Sequence, residues 1–179
     1  MAHKIYPEWI SKTPFLKENP TLHYGTHEEW FAVMTPKGKV CALTSRAFPN
    51  YERLLRSFQK HTLLERPIIL DKKISCLLAG SPFQHQVWNA LLQIPRGSTV
   101  SYLELAQSLG RPKSVRAVAN AVGANPISPL IPCHRVVGSN GYFGGYFWGT
   151  PVKQRLLKEE GVDLSSFKEK MKDPPSFLV

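Results

Sequence analysis

Start and stop signals divide the second half of the chain into short helices, and this division constrains the fold more than any other feature. The segments Ser81-Pro82-Phe83-Gln84 and Ser101-Tyr102-Leu103-Glu104 both match the capping box, in which a serine and an acid or amide three residues later satisfy each other's backbone N–H groups. Glycine and proline at 95–97 and 110–112 end the apolar stretches that follow. The pattern predicts three helices between residues 81 and 124.

The third of these helices, predicted from about 113 to 124, has two different faces. At 100° per residue its valines form a core face, whereas another face holds small or polar residues. The members of that second face are Arg116, Ala117, Asn120 and Gly123. It is either solvated surface or a surface that approaches a nucleic-acid groove closely and inserts Arg116. Because a glycine-containing turn precedes a basic helix, the pair indicates a helix-turn-helix, although plain structural hairpins share this pattern.

The first half of the chain predicts a small sheet. The stretches Trp30–Met34 and 40–43, joined by a turn that contains proline and glycine, are typical of two successive strands. Residues 51–61 have apolar side chains at helical spacing, and residues 67–70 indicate a further short strand. Residues 1–28 show no clear period, and we expect irregular structure there.

Together these patterns predict an α+β protein. A length of 179 residues suffices for two small domains that each bury a modest core. We expect an α+β N-terminal domain at 1–78 with a small sheet, and a mainly helical domain with the helix-turn-helix at 79–165. A flexible tail is predicted at 166–179.

The charge balance favours an anionic partner. The chain carries 23 basic and 13 acidic side chains, which gives a formal net charge of +10. Half of this excess lies in residues 1–75, so charge alone does not locate a binding face, but residues 96–153 hold six basic residues and one acidic residue. Nucleic acid fits this charge, although an excess of this size can also serve solubility alone.

The sequence predicts a soluble, intracellular protein that does not associate with membranes. No apolar run approaches the roughly 20 residues that span a bilayer, and the first residues lack the apolar core of a signal peptide. The three cysteines are widely spaced, which argues against a disulfide framework, and no Cys-x-x-Cys pair suggests a metal site. We expect a nuclear location in a eukaryote or a cytoplasmic one in a bacterium.

The reactive centre is predicted at Cys133-His134. Three prolines, at 126, 129 and 132, restrict the backbone just before the cysteine. The thiolate is the reactive form of cysteine, and an adjacent imidazole with basic surroundings lowers the thiol pKa, so the pair indicates an activated nucleophile. A small buried cysteine beside a hydrogen-bonded histidine is the simpler alternative.

The last helix offers a third member of this centre. Thr150 is predicted to cap the helix and Gly161 to end it. Lys153 and Glu160 both fall on its apolar face, where unpaired charges are unfavourable, so both need partners. A Lys153–Glu160 pair is one explanation, but the two residues are two turns apart. A carboxylate that orients His134 explains the buried charge better.

These residues resemble one family, the O6-alkylguanine-DNA alkyltransferases, also called methylated-DNA–protein-cysteine methyltransferases. The resemblance covers roughly residues 80–162, and its most specific part is Pro132-Cys133-His134-Arg135-Val136. The other matching segments are Phe83-Gln84, Val87-Trp88, Ile94-Pro95-Arg96-Gly97, Ser101-Tyr102, Leu105-Ala106, Arg116-Ala117-Val118, Asn125-Pro126, Leu156-Leu157 and Glu160-Gly161.

The resemblance implies roles for individual residues. Cys133 is similar to the alkyl acceptor, activated through a water by His134, with Glu160 completing the relay. Tyr102 resembles the residue that hydrogen-bonds guanine, and Arg116 the residue that fills the gap left by the flipped nucleotide. Asn125 is similar to the hinge that ties the recognition helix to the active-site strand, and Lys153 with the backbone around Val136 and Phe147 is expected to line the pocket. The residues expected to contact substrate or DNA also include Ala117, Asn120, Gly123, Asn125, Arg135 and Trp148.

The resemblance also implies a repair protein that acts once. Such a protein binds the minor groove of double-stranded DNA as a monomer, flips out O6-alkylguanine and takes the alkyl group irreversibly onto Cys133. We expect no cofactor, because the damaged DNA is itself the alkyl donor. Some members of the family hold zinc in the N-terminal domain, but no cysteine precedes Cys41 here, so we expect no metal. O4-alkylthymine is a second candidate substrate. Two alternatives remain open from the residues: a non-catalytic DNA-binding protein that uses the same helices, and a Cys–His hydrolase that turns over.

Overall fold

Two compact units make up the computed structural model, which describes residues 4–68, 70, 73–139 and 141–168. The first unit runs to His85 and also includes Asn125–Ile131, while the second comprises Gln86–Ala124 and the chain from Pro132 onwards. The sequence predicts a single boundary at 78/79, whereas the chain changes unit three times because this short segment returns to the first unit. No helix in the described part of the chain is long and apolar enough to cross a membrane.

A six-stranded mixed sheet forms the first unit. The strands are β1 (Lys4–Ile10), β2 (Thr21–His27), β3 (Trp30–Met34), β4 (Val40–Ser45), β5 (Thr62–Glu65) and β6 (Lys73–Ala79). Their spatial order is β1-β6-β4-β3-β2-β5. Three of them, β2, β3 and β4, form an antiparallel meander, and the remaining neighbours pair in parallel. A helix, α1 (Lys12–Glu18), and a 3-10 helix at Tyr51–Phe58 lie between strands.

The two middle strands form the core of this unit. All five residues of β3 and the first five of β4 are buried, because a strand covered on both faces loses the alternation of apolar and polar residues. These are the two strands that the sequence predicts, and that prediction is confirmed. The Leu43 N–H donates to the Pro126 carbonyl at 2.9 Å and Leu43 forms a bridge with Ile127, so β4 holds the segment that returns to this unit.

Other sequence predictions for this unit were wrong. Residues 1–28 were expected to be irregular, but their described part contains β1, α1 and β2. Because β1 is an edge strand, it tolerates Pro7 and is only half covered, which hides its period. The described residues within the strand predicted at 67–70 lie outside any strand, between β5 and β6. The helix predicted at 51–61 is a shorter 3-10 helix.

Short helices dominate the second unit, as the sequence predicts, and the α+β class is confirmed. A two-residue parallel ladder accompanies them, formed by β7 (Val100–Ser101) and β8 (Val136–Val137). Most of the tail predicted at 166–179 lies outside the described residues. The helices are α2 (Pro82–Leu92), which begins in the first unit, α3 (Tyr102–Ser108), α4 (Val115–Gly123) and α5 (Thr150–Glu159).

Both predicted capping boxes are present. The Ser81 N–H donates to the Gln84 side chain at 2.8 Å, and the Gln84 N–H donates to the Ser81 hydroxyl at 3.2 Å. The corresponding distances between Ser101 and Glu104 are 2.7 and 3.1 Å. These reciprocal bonds satisfy backbone donors that the first turn of a helix otherwise leaves open. They therefore set where α2 and α3 begin.

The apolar face of α4 joins it to α2 and α3. Val118, Ala121 and Val122 are buried, and the Trp88 indole N–H of α2 donates to the Ala121 carbonyl at 2.8 Å. A single 3-10 turn, Pro112–Ser114, precedes α4, so α3 and α4 follow each other with a short connection. This packing directs the other face of α4 to solvent.

Candidate active site

The Cys133 thiol lies at the start of a tight turn. One turn of 3-10 helix spans Cys133–Arg135 and leads directly into β8, and the Arg135 N–H donates to the Pro132 carbonyl at 3.0 Å. Cys133 is 7% exposed. The ladder between β8 and β7 links this turn to Tyr102, because β7 runs directly into α3 at that residue. Two short strands therefore bring the cysteine turn and Tyr102 into one neighbourhood.

A carboxylate from the end of α5 holds the adjacent histidine. His134 is buried, and its Nε2 lies 3.0 Å from Glu160 Oε1. The same carboxylate accepts two hydrogen bonds from Arg135, from Nε to Oε2 at 2.9 Å and from Nη2 to Oε1 at 2.8 Å. Glu160 thus binds an imidazole and a guanidinium at once, and the structure places it where the sequence analysis expects a carboxylate that orients His134.

The protonation states of this pair follow from burial and hydrogen bonding. Burial alone would raise the pKa of Glu160, but hydrogen bonds from Arg135 and His134 outweigh burial and hold that pKa at about 2. Burial lowers the pKa of His134, although Glu160 opposes the shift. An ionised carboxylate therefore faces a neutral imidazole at neutral pH. Since a carboxylate only accepts, His134 donates from Nε2 and keeps its lone pair on Nδ1, to which no described residue hydrogen-bonds.

Lys153 lies on the same helix and is fully buried, at 0% exposure. Its ammonium donates to the carbonyls of Val136, at 2.5 Å, and Phe143. Burial lowers the pKa of Lys153 to about 8, and a negative charge on Cys133 opposes this shift. In the part of the chain that the structure describes, Lys153 does not bond Glu160, so that pairing is not the explanation for the two charges. Lys153 instead ties β8 to the loop that precedes α5.

Tyr102, the first residue of α3, points its hydroxyl at the same loop and donates to the Gly145 carbonyl at 3.3 Å. Burial, together with a smaller contribution from a negative charge on Cys133, raises the pKa of Tyr102 to about 12. The phenol therefore remains a neutral donor at physiological pH. The neighbouring Gly144 has φ +71°, and a Cβ there would lie 2.9 Å from Tyr102 Cε2. Sequence reasoning missed these two glycines, although a Gly-Gly pair within an aromatic loop was a signal for close approach.

The exposed face of α4 is nearly bare. All four residues that the sequence analysis groups there are exposed, and a Cβ at Gly123 would meet nothing within 4 Å. They are Arg116, Ala117, Asn120 and Gly123. One long cationic side chain thus projects from a helix surface that another molecule can approach closely.

Arg135 and Val136, both expected to contact substrate or DNA, make internal hydrogen bonds, and their contact with substrate or DNA stays a prediction. The Arg135 guanidinium bonds Glu160, and its Nη1 also donates to the Ile94 carbonyl at 2.6 Å. Val136 is fully buried, and its carbonyl is an acceptor for Lys153. Their observed contacts connect elements of the second unit.

Three other expected contact residues have defined positions. The Asn125 amide fastens its own segment, donating to the Ile131 carbonyl at 2.8 Å and accepting from the Ile127 N–H at 3.0 Å. Phe147 is half-buried and meets the buried Trp148 edge-on, with ring centroids 4.7 Å apart. Contact of these side chains with a substrate stays a prediction.

The ends of α5 differ in part from the prediction. Gly149 is the N-cap, and Thr150, predicted as the cap, is the first helical residue because the turn before it requires φ +93°. Gly161, with φ +86°, ends the helix as predicted. Arg96 donates to the Glu159 carbonyl at 3.1 Å and so stabilises this end. Among the described residues, no group of three or more His, Cys, Asp or Glu side chains could hold a metal ion.

The region that carries this geometry matches a known family. Residues 82–162 match the family described as 6-O-methylguanine DNA methyltransferase, DNA binding domain. The methylated-DNA–protein-cysteine methyltransferase of Candida albicans is 46% identical over 110 residues, which are 61% of this chain and 62% of that protein. The chain thus spans less than two thirds of this relative, and it spans 23% of another, the bifunctional transcriptional activator/DNA repair enzyme Ada of Escherichia coli.

Two solved structures from Mycobacterium tuberculosis extend the likeness beyond this region. Its O6-methylguanine methyltransferase is 30% identical with a TM-score of 0.58, covering 78% of this chain and 92% of that one. Its OGT in complex with DNA is 27% identical with a TM-score of 0.58, covering 82% and 94%. The chain therefore belongs to the O6-methylguanine-DNA methyltransferase family.

Proposed function

We propose that this protein repairs alkylated DNA directly, by transferring the alkyl group of an O6-alkylguanine irreversibly to Cys133. The observation that carries the proposal is the set of contacts next to that thiol: His134 follows it on the same turn and lies 3.0 Å from an ionised Glu160. An imidazole oriented in this way activates a thiol as a nucleophile. The relatives named as methylated-DNA–protein-cysteine methyltransferases support alkyl transfer as the reaction.

The first step removes the thiol proton. His134 Nδ1 carries the lone pair, so it takes the Cys133 proton through a bridging water, and Glu160 stabilises the imidazolium that forms. The charge of Lys153 also favours an anion on the sulfur, because the two groups interact electrostatically. The sulfur is therefore anionic when the alkyl carbon approaches.

The second step exchanges one bond for another. The thiolate attacks the alkyl carbon in line, the S–C bond forms as the C–O6 bond breaks, and the electron pair remains on the guanine. Tyr102 hydrogen-bonds the departing purine and reduces its developing charge, as a neutral phenol can. Guanine then takes up one proton and His134 releases one, so the protons balance.

The product makes the reaction irreversible. Cys133 ends as a thioether, and a thiolate leaves carbon poorly, so the alkyl group stays on the protein. Each molecule therefore repairs one lesion and is consumed. The damaged DNA is itself the alkyl donor, so the transfer requires no methyl-donor cofactor.

We assign DNA recognition to α3 and α4, acting as a helix-turn-helix that enters the minor groove. The target atom lies within a base stack, so the nucleotide must be flipped out at a cost of about a few kcal/mol. The bare face of α4 suits close approach, and Arg116 fills the gap that the nucleotide leaves. A net charge of +10 and the DNA complex of the M. tuberculosis OGT support DNA as the partner.

Peptide mass spectrometry tests the proposal. The protein is incubated with excess duplex that carries one O6-methylguanine, and the tryptic peptide 117–135, in which Cys133 is the sole cysteine, is weighed. We expect one methyl group per protein molecule on this peptide. The peptides that contain Cys41 and Cys76 are internal controls, because burial raises the pKa of both thiols to about 12 and keeps them protonated.

Two variants separate the roles of the residues. Cys133→Ala should abolish transfer and leave binding to the duplex intact, whereas Arg116→Ala should slow transfer from duplex more than transfer from the free base. Equal loss on both substrates contradicts the role given to Arg116. Tight binding of the lesion without methyl gain supports a non-catalytic DNA-binding protein, and multiple turnover supports a hydrolase.

A further inference from the structure

Each observed hydrogen bond of the Arg135 side chain is made within its own unit. Nε and Nη2 donate to the two oxygens of Glu160, at 2.9 and 2.8 Å, and Nη1 donates to the Ile94 carbonyl at 2.6 Å. The side chain is 15% exposed. An arginine that binds phosphate or a base edge presents this planar fork to the nucleic acid. In this protein the Arg135 fork binds the Glu160 carboxylate, so the function of Arg135 lies within the candidate active site.

The fork fixes the orientation of Glu160. The terminal torsion of a glutamate is broad and roughly two-fold, so a carboxylate held by one bond rotates easily. Two parallel bonds from one guanidinium define its plane, and the third bond, to Ile94, anchors the guanidinium to the chain that follows α2. Glu160 Oε1 is shared between Arg135 and His134. The position of Arg135 therefore determines where His134 finds its acceptor.

The orientation of His134 follows from that acceptor. Its Nε2 bonds Glu160 Oε1 at 3.0 Å, which selects the tautomer with the proton on Nε2 and the lone pair on Nδ1. A carboxylate that rotates away would release both the ring and its tautomer. The proton acceptor for Cys133 would then be present for only part of the time.

We propose that Arg135 is a positioning residue for alkyl transfer, which clamps Glu160 so that His134 presents a basic Nδ1 to the reaction. This inference rests on the proposed function, because it assigns a residue to that same site. It also separates Arg135 from the residues that bind DNA. The clamp makes two distinct demands on the residue at 135, a positive charge and a two-donor fork.

The charged groups around the clamp give the direction of its pH dependence. His134 faces Glu160, Arg135 and Lys153, while Glu160 faces His134, Arg135 and the Gly97 backbone N–H at 3.5 Å. Without the guanidinium, burial is less well offset and the pKa of Glu160 rises. His134 loses the repulsion from Arg135, so its pKa rises as well. Both changes mean that Glu160 and His134 are protonated at a higher pH than in the wild type. The acid limb of the rate profile therefore shifts to higher pH.

Single-turnover transfer across a pH series tests the proposal. Saturating duplex with one O6-methylguanine is used with the wild type, Arg135→Met, Arg135→Lys and the control Arg96→Met. Arg96 also stabilises the end of α5, but it donates to the Glu159 backbone carbonyl and not to the Glu160 carboxylate. We expect Arg135→Met to slow transfer by about tenfold or more near pH 6 and by less near pH 9. Arg135→Lys should recover part of the rate, and Arg96→Met should keep the wild-type profile.

Two further measurements distinguish positioning from DNA contact and from misfolding. The Kd of Arg135→Met for undamaged duplex should stay within about twofold of wild type, because a positioning residue makes no phosphate contact. The double variant Arg135→Met/Glu160→Gln buries no isolated charge, and it should transfer no more slowly than Glu160→Gln alone. An additive loss of transfer rate in this cycle overturns the proposal. It is also overturned if Arg135→Met binds undamaged duplex more weakly while the acid limb of its rate profile stays unchanged.

Failure of this inference is distinguishable from failure of the proposed function. A wild-type protein that transfers no methyl group overturns the proposed function and the role of Arg135 in it. Transfer by the wild type with the same acid limb in Arg135→Met overturns the clamp alone. Titration of His134 by NMR gives an independent reading, since the clamp predicts a higher imidazole pKa in Arg135→Met.

Discussion

Gly144→Ala is the substitution whose effect can be worked most directly from the structure. The residue has φ +71°, where an alanine costs about 1–2 kcal/mol of backbone strain. Its new Cβ would lie 2.9 Å from Tyr102 Cε2 and 3.3 Å from the Tyr102 hydroxyl. The ring must therefore move by about half an ångström to restore ordinary contact. We expect a small loss of stability together with a displaced phenol.

The displacement should reduce the rate of transfer by about tenfold. A misplacement of about 1 Å at a reacting group can lower a rate by about a hundredfold, and half of that shift corresponds to about half of the free energy. The assay is single-turnover methyl transfer at saturating DNA, with the Tm measured in parallel. A loss of about 1–2 kcal/mol lowers Tm by several degrees in a chain of this length.

Gly141→Ala is the matched control in the same loop. Gly141 also has positive φ, at +79°, but the nearest atom to a new Cβ is the Ser166 carbonyl oxygen at 3.6 Å, an ordinary contact. Both variants should lose similar stability, while Gly144→Ala alone slows transfer. In a Tyr102→Phe background the additional effect of Gly144→Ala should nearly vanish. Equal rates for the two alanine variants, or a full tenfold effect without the hydroxyl, refute the reasoning.

Three buried features give further measurable outcomes. Trp88→Phe removes the N–H that bonds the Ala121 carbonyl and should lower the free energy of unfolding in urea by about 1–3 kcal/mol; an unchanged value contradicts its anchoring role. Burial raises the pKa of Cys41 and Cys76 from 9.0 to about 12. The free energy of unfolding should therefore fall between pH 9 and pH 12, because the unfolded thiols lose protons that the folded thiols keep. Replacing both cysteines with alanine should flatten this decline. Hydrogen bonds hold the pKa of Glu160 at about 2. Its contribution to the free energy of unfolding is therefore present above about pH 4.5 and is lost as the pH falls towards 2. Glu160→Gln should remove this acid-dependent contribution, which is about 2 kcal/mol because solvent screens part of the effect.

Local signals made part of the fold predictable. The capping boxes at Ser81 and Ser101 depend on residues three apart, so the sequence contains the whole interaction. Strands β3 and β4 were recognisable because they are buried on both faces and nearly all apolar. Strand β1 was not, because an edge strand with a proline carries little of the period on which such a prediction relies.

The sequence predicted those parts of the site in which a buried charge requires a partner. The phase of the last helix places Glu160 on its apolar face, where the carboxylate needs a hydrogen-bond donor. The histidine beside Cys133 is a suitable donor, so the His134–Glu160 pair could be inferred. The direction of Arg135 could not, because an arginine serves DNA and carboxylates equally well and only the fold decides between them. Lys153 likewise bonds backbone carbonyls, which no pattern of side chains reveals.

The segment Asn125–Ile131 limits how this chain can be divided. It precedes the cysteine turn directly, yet its backbone is held by Leu43 of β4, about eighty positions earlier in the sequence. A fragment trimmed to the matched family region would keep this proline-rich stretch and lose the strand that secures it. Any shortened version made for labelling or engineering purposes should therefore retain the amino-terminal sheet, since that sheet supports the chain immediately upstream of the nucleophile.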